Sequence, residues 1–168
     1  MNKVSVRLIV AALTVIMLAS CGGGGGGGGG GSSGSNNAQN STAGHTPFII
    51  SKPVCKTGAV PGLYEHCAVQ FSFKNTSSKD MSHLTISCMV YSDMEGHNPF
   101  MGTNHILADF PENIASGETK MFTLDLEPYL YTIPTEPYLI DQFFVKQVTF
   151  SDGSTWKDLT GAYSVKSW

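Results

Sequence analysis

Arginine is almost absent from this chain. The 168 residues contain a single arginine, Arg7, which lies within the first twenty residues. In residues 21–168, eight lysines stand against thirteen aspartates and glutamates, which gives a formal net charge of −5. Nucleic-acid binding and electrostatic contact with anionic lipid both depend on clustered lysine and arginine. The charge balance therefore argues against both kinds of contact.

The sequence also lacks the motifs of common enzyme families. It contains no G-x-S-x-G nucleophile elbow between a strand and a helix, no H-E-x-x-H zinc pair and no C-x-x-C redox pair. The pattern G-x-G-x-x-G occurs only trivially inside a glycine run, with no mature strand before it and no helix after it. We therefore expect a protein that is not an enzyme and that needs neither a cofactor nor a metal.

The longest apolar run, residues 8–18, lies close to the N-terminus. It follows the basic residues Lys3 and Arg7 and ends at the small residues Ala19 and Ser20. A membrane-spanning helix needs about twenty apolar residues, so this run is too short to span a bilayer. A basic start, an apolar middle and a small-residue end predict an export signal over residues 1–20.

The tetrapeptide Leu18-Ala19-Ser20-Cys21 resembles the lipobox of bacterial lipoproteins. The resemblance implies cleavage before Cys21, acylation of that cysteine and a lipid-anchored position in the bacterial cell envelope. Two or three acyl chains would hold the protein stably, since a single chain binds membranes only marginally. Gly22 stands where enteric bacteria use aspartate to retain lipoproteins in the inner membrane, which favours outer-membrane delivery. The alternative is ordinary signal cleavage, with Cys21 as a chance thiol.

Residues 21–45 form a linker of low complexity. After Cys21 they are almost entirely glycine, serine, asparagine and threonine, a composition that cannot bury enough apolar surface to fold. We expect a disordered tether with a root-mean-square span of roughly 25–30 Å. The tether leads to a single folded domain over residues 46–168.

The folded domain shows the two-residue hydrophobic period of β-strands. The alternating segments are separated by turn-forming sequences such as "KNTSSKD" and "SDGS". In residues 144–150, Phe144, Lys146, Val148 and Phe150 share one side, and the lysine leaves the inward face undecided. About seven short strands predict an all-β, two-sheet antiparallel sandwich. The predicted inward residues elsewhere are Cys67, Val69, Phe71 and Phe73, then Leu84, Ile86, Cys88 and Val90, then Phe122, Leu124 and Leu126.

Three segments, "FSFKNTSSKDMSHLTISCMVYSDMEG", "ASGETKMFTLDL" and "VTFSDGSTW", resemble small immunoglobulin-like or fibronectin-like domains of bacterial envelope proteins, including the FxLYD-type group. Those domains share an "N-T-S" turn, a strand that ends near "Y-D-x-x-G" and a "G-E-T" start to a later strand. Here Ser92 stands between the tyrosine and the aspartate of the second motif. The resemblance implies an immunoglobulin-like or fibronectin-like sandwich and leaves the function open, since such sandwiches have many unrelated roles.

Besides Cys21, the chain contains Cys55, Cys67 and Cys88. Export would place them in a compartment that permits disulfides, but three cysteines cannot all pair within one chain. We favour a structural Cys55–Cys67 bond, which would close a small ring between the first two strands, with Cys88 as a buried thiol. The alternative joins Cys67 to Cys88, because both have inward phases.

Two loops contain candidate site residues. The segment "SDMEGHNPFMGTNH" brings Asp93, Glu95, His97 and His105 into one region, and imidazole and carboxylate groups bind metals. A solvated polar loop explains the same residues. A metal-binding or hydrolytic lipoprotein that uses the His97/His105 loop is therefore the alternative function.

The second loop repeats a motif: Glu127-Pro128-Tyr129-Leu130 recurs as Glu136-Pro137-Tyr138-Leu139. Its prolines oppose sheet pairing, and tyrosines serve as anchors in binding surfaces. One interpretation is a partner-binding surface formed by Tyr129, Tyr131 and Tyr138. The other is a plug in which Tyr129, Tyr131 and Leu139 close the open end of the sandwich.

The sequence as a whole predicts a lipid-anchored envelope protein. Its contact with the membrane would run through the N-terminal acyl chains, and its domain would bind or support another envelope component without catalysis. A third possibility is a domain that serves only as a spacer or surface coat.

Overall fold

The structure, a computed structural model, describes residues 46–168. The predicted signal, Cys21 and the tether lie outside the described residues. The described part contains one 3-10 helix, Glu127–Tyr129, and has no helix long and apolar enough to cross a membrane. Its strands are β1 Phe48–Ile50, β2 Val54–Thr57, β3 Cys67–Asn75, β4 Met81–Tyr91, β5 His105–Phe110, β6 Thr119–Asp125, β7 Leu139–Phe150 and β8 Thr155–Lys157.

The strands form two antiparallel sheets. In the first sheet, β3 pairs with β6 along one edge and with both β1 and β2 along the other. The second sheet has the order β5-β4-β7-β8. Because β1 and β2 follow each other along the same edge of β3, the eight strands occupy seven positions. The predicted all-β, two-sheet antiparallel sandwich of about seven strands is confirmed.

The core lies between the sheets and follows the predicted alternation. The inward residues predicted for β3, β4 and β6 are all buried. Aromatic rings connect the two layers: the Phe71 ring on β3 lies 4.9 Å from the Phe143 ring on β7 and 5.9 Å from the Phe110 ring on β5, between centroids. A two-residue period therefore identified the buried face correctly wherever the strand pairing is regular.

Strand β7 departs from the predicted pattern. Phe144 does not share the buried side of Val148 and Phe150; it is half-buried, and its neighbours Phe143 and Val145 point into the core. The register of β7 against β4 shifts beside Lys146, where a β-bulge adds one residue. A bulge restarts the alternation, so the same strand is inward at Val145 and again at Val148.

Asn75, at the end of β3, is a fully buried polar residue that connects neighbouring turns. Its side-chain amide donates to the backbone carbonyls of Lys79 at 2.8 Å and Ile114 at 3.1 Å. Its carbonyl oxygen accepts from the N–H and the hydroxyl of Ser77, at 3.0 and 2.7 Å. The Gly117 N–H donates to the Asn75 backbone carbonyl, in a turn whose φ of 79° suits glycine. All the polar atoms of this buried amide are therefore satisfied.

The two ends of the sandwich differ in their connections. The end near Asn75, here called the turn end, has the shorter turns 76–80, 111–118 and 151–154, and Phe48 pairs with Asn75 there. The end near Cys67, here called the loop end, has the connections 58–66, 92–104 and 126–138. The described chain therefore begins at the turn end, opposite the longer loops.

Candidate functional site

The two longer loops of the loop end are joined by backbone pairing. Phe100 and Leu130 form an isolated antiparallel bridge, and the Met101 N–H donates to the Tyr129 carbonyl at 3.3 Å. Loop 92–104 is also ordered internally, because one carboxylate oxygen of Asp93 accepts from the backbone N–H of Glu95 at 3.0 Å. The loops are therefore held in a defined relation to each other before any partner binds.

A cavity of about 470 Å³ opens between these two loops. Its volume lies in the range of small-ligand and side-chain binding sites. Loop 92–104 contributes asparagine and aromatic groups, and loop 126–138 contributes aromatic, aliphatic and carboxylate groups. The residues that define its character are Asn98, Phe100, Tyr131, Ile133, Glu136 and Tyr138.

The three tyrosines predicted to bind a partner have different surroundings, which fit the plug at two positions and the partner-binding surface at the third. Tyr138 is only 7% exposed and meets Phe100 edge to face at 6.0 Å, while the half-buried Tyr129 lies 5.7 Å from the same ring. Burial raises the pKa of both phenols. Tyr131 is 75% exposed at the cavity rim. Tyr129 and Tyr138 therefore pack on the end of the core, and Tyr131 is available for contact.

The two copies of the E-P-Y-L motif have different surroundings. The Glu127 carboxylate accepts from the backbone N–H groups of Glu65 and His66, the latter at 2.6 Å. It thereby connects loop 126–138 to loop 58–66. Glu136, at the same motif position, is exposed and lines the cavity. The first glutamate is thus part of the framework, and the second faces solvent at the site.

The charge of the loop end has one sign. Loops 58–66, 92–104 and 126–138 contain no lysine or arginine. Lys56 on β2 and Lys166 near the C-terminus border this end, and Lys166 lies 3.8 Å from Asp141. The acidic residues of the three loops are Glu65, Asp93, Glu95, Glu127 and Glu136.

The candidate metal ligands do not assemble into a site. His97 Nδ1 lies 2.8 Å from an Asp93 carboxylate oxygen, and this hydrogen bond lowers the pKa of Asp93. Glu95 lies 4.0 Å from the same ring, whereas His105 instead contacts the Ser87 hydroxyl at 2.8 Å. Within residues 46–168, no three histidine, cysteine, aspartate or glutamate side chains are arranged to hold a metal ion.

The Ser87–His105 pair is a contact that sequence reasoning missed. The residues are eighteen positions apart, and only the pairing of β4 with β5 brings them together. Hydroxyl and imidazole at this distance form the first two members of a nucleophile–base arrangement. Neither residue lines the cavity.

Two of the three described cysteines lie side by side. The sulfur atoms of Cys55 and Cys67 are 3.5 Å apart, both residues are buried, and both are free thiols in this structure. The hydrogen bond with Cys55 and burial raise the pKa of Cys67. The Tyr138 N–H donates to the Cys55 sulfur at 3.2 Å, so the pair also contacts the cavity loop. Cys88 is buried in the core, and burial raises its pKa to about 12.

Comparison with known proteins places few constraints on the function. No protein-family model matches the chain, and no curated protein matches it. The chain is similar to a hypothetical protein from Peptoclostridium difficile 630 whose X-ray structure was solved at 1.85 Å. The sequence identity is 16%, the TM-score is 0.48, and the match covers 69% of this chain and 88% of that chain.

Replacing Tyr138 or Tyr131 with alanine tests whether the first stabilises the fold and the second only forms an exposed contact surface. We expect Tyr138→Ala to lower the free energy of unfolding by about 3 kcal/mol, because it removes a buried ring. Tyr131→Ala is the matched control and should change it by less than about 0.5 kcal/mol, because that ring is exposed. Urea unfolding followed by tryptophan fluorescence measures both values. Equal destabilisation by the two variants would contradict this division.

Proposed function

We propose that this protein is a lipid-anchored component of the bacterial cell envelope whose sandwich domain binds another envelope component without catalysing a reaction. The observation that carries the proposal is the position of the cavity. It lies at the loop end, between two loops joined to each other, whereas the described chain begins at the turn end. Binding residues commonly lie on loops that a rigid scaffold positions.

The orientation of β3 supports this assignment. Phe48 pairs with Asn75 at one end of β3, and Leu126 hydrogen-bonds to Cys67 at the other. A strand of this length spans about 26 Å. An acylated Cys21 followed by a flexible linker would reach the domain at the turn end. The cavity would then lie at the end of the domain opposite the attachment point, where the tether leaves it open to a partner.

We also propose that the domain belongs to the immunoglobulin-like or fibronectin-like envelope domains that its turn motifs resemble. Two of those motifs, "N-T-S" from Asn75 and "G-E-T" from Gly117, meet at the turn end. The Asn75 N–H donates to the Glu118 carbonyl at 2.9 Å, and the Glu118 carboxylate accepts from the Ala115 N–H at 2.7 Å. These contacts give the motifs a structural role, which supports the resemblance.

A structural disulfide between Cys55 and Cys67 is part of the proposal. Each thiol would lose one hydrogen to a thiol oxidant of the exported compartment, and the two sulfurs would bond. The starting separation of 3.5 Å requires only a small side-chain movement. Since Tyr138 donates to the Cys55 sulfur, the bond would brace the loop end.

Metabolic labelling with palmitate tests the anchor. We expect the mature protein to carry the label and Cys21→Ala to lose it and to leave the membrane fraction, because the cysteine is the predicted acylation site. Cys88→Ala is the control and should keep the label. A label that survives Cys21→Ala would refute the assignment.

Thiol alkylation tests the disulfide. In mature protein denatured without reductant, we expect Cys88 to be alkylated and Cys55 and Cys67 to be protected, and all three to react after reduction. Reduction should lower the free energy of unfolding by about 3 kcal/mol, because the bond restricts the unfolded chain by closing the loop between Cys55 and Cys67. Cys88→Ala should retain this dependence on reductant. Alkylation of all three thiols before reduction would exclude the bond.

Photo-crosslinking in whole cells tests the binding function. We place a photoreactive phenylalanine analogue at Tyr131 in the cavity rim, or at Met121 on β6 as the control, because the two are similarly exposed at 75% and 66%. We expect a discrete adduct from position 131 and not from position 121. Absence of an adduct from position 131 would overturn the proposed function.

A further inference from the structure

We propose that the loop-end cavity binds an extended peptide segment that carries lysine or arginine and belongs to the partner protein. This inference rests on the proposed function and adds the chemistry of the partner. It depends on three features of the loop end: the sign of its charge, the exposed apolar side chains of the two cavity loops and the shape of the cavity.

The charge of the loop end is complementary to a basic partner. Its three loops contain five acidic residues and no lysine or arginine. Three of the four carboxylates in the turns of the turn end instead have a lysine nearby: Lys79 lies 2.6 Å from Asp152, and Lys120 lies 3.6 Å from Glu112 and 3.9 Å from Glu118. The loops of the loop end therefore have more negative charge without a lysine partner than the turns of the turn end, and one of their carboxylates, Glu136, lines the cavity.

The carboxylate best placed for a ligand is Glu136. Glu127 is already engaged by two backbone N–H groups, and Asp93 is engaged by His97. Glu136 is exposed, lines the cavity and has no cationic partner within residues 46–168. A partner ammonium or guanidinium group at the rim would supply the missing charge, and such ion pairs orient the partner and favour encounter.

The two cavity loops expose large apolar side chains. Tyr131 and Ile133, which line the cavity, are 75% and 63% exposed. Met94 and Met101 lie elsewhere on loop 92–104 and are 75% and 69% exposed. Tyrosine and methionine are typical of protein-binding surfaces. The aliphatic stem of a lysine or arginine packs on an aromatic ring while its charged end reaches a carboxylate. Tyr131 and Glu136 supply that combination.

The same features argue against binding of other abundant components of a cell envelope at this cavity. Anionic lipid headgroups and phosphate polymers would meet like charge, because no lysine or arginine lies in these loops to neutralise them. A cavity of about 470 Å³ between two loops has room for one or two side chains of a peptide rather than for a folded surface. A glycan is the remaining class of partner, and the crosslinking experiment distinguishes it from a peptide.

The test measures binding of short peptides to the acylated full-length protein in nanodiscs of neutral lipid. The probes are an array of peptides that varies the apolar residues and carries either lysine or glutamate at the remaining positions. We expect lysine peptides to bind at least tenfold more tightly than their glutamate counterparts, with the affinity falling at high salt. Empty nanodiscs serve as the blank.

Three variants locate the binding. Tyr131→Ala should weaken the lysine peptides by about tenfold or more, as for a central aromatic anchor. Glu136→Gln should weaken them by about threefold at low salt and not at high salt. Asp109→Asn removes the same charge from an exposed residue of β5 and should leave the affinity within about twofold. These results would establish the peptide site at the loop end.

Equal binding of lysine and glutamate peptides, no binding of either, or insensitivity to both loop-end variants would overturn the inference. The crosslinking result then distinguishes failure of the basic-peptide inference from failure of the proposed function. An adduct from position 131 to a glycan or to an acidic segment of a protein would keep the proposed function and reject the basic peptide. Loss of that adduct would reject both.

Discussion

The phenyl ring of Phe71 is the contact on which the arrangement of the sandwich depends. It lies on β3, stacks on Phe122 of β6 at 5.4 Å within its own sheet, and meets Phe143 and Phe110 of the other sheet at 4.9 and 5.9 Å. One side chain of β3 therefore contacts three other strands, one in its own sheet and two in the other sheet. Because protein interiors are close-packed, these rings set both the spacing of the sheets and the lateral position of each strand.

The two ends of this framework are held together by different contacts. At the turn end, the buried amide of Asn75 joins short turns, and Lys79 and Lys120 lie close to three of the carboxylates there. At the loop end, the longer connections are held by contacts between loops, among them the Phe100–Leu130 bridge and the hydrogen bonds of the Glu127 carboxylate. The second arrangement leaves a cavity and unpaired acidic groups exposed. The described chain begins at the turn end, and the proposed binding surface lies at the opposite end.

The repeated E-P-Y-L motif illustrates why a site is harder to predict than a strand. Its two copies have identical letters, yet Glu127 holds the backbone of a neighbouring loop and Glu136 faces the cavity. Tyr138 is buried against Phe100, while Tyr131, which lies outside either copy, is the exposed ring. The sequence identified the loop and its tyrosines, but the contacts that assign a role to each side chain come from other loops.

The sequence by itself determined the sheet class and most of the core, because a strand with one buried face repeats its apolar residues every second position. The sequence also supports two further predictions, lipid attachment at Cys21 and a disordered tether, because both depend only on the local sequence. Only the tertiary structure decided the inward face of β7, the Ser87–His105 contact and the position of the cavity. Each of these depends on pairing between distant segments: a bulge set by the partner strand, a register between β4 and β5, and two loops brought together at one end of two packed sheets.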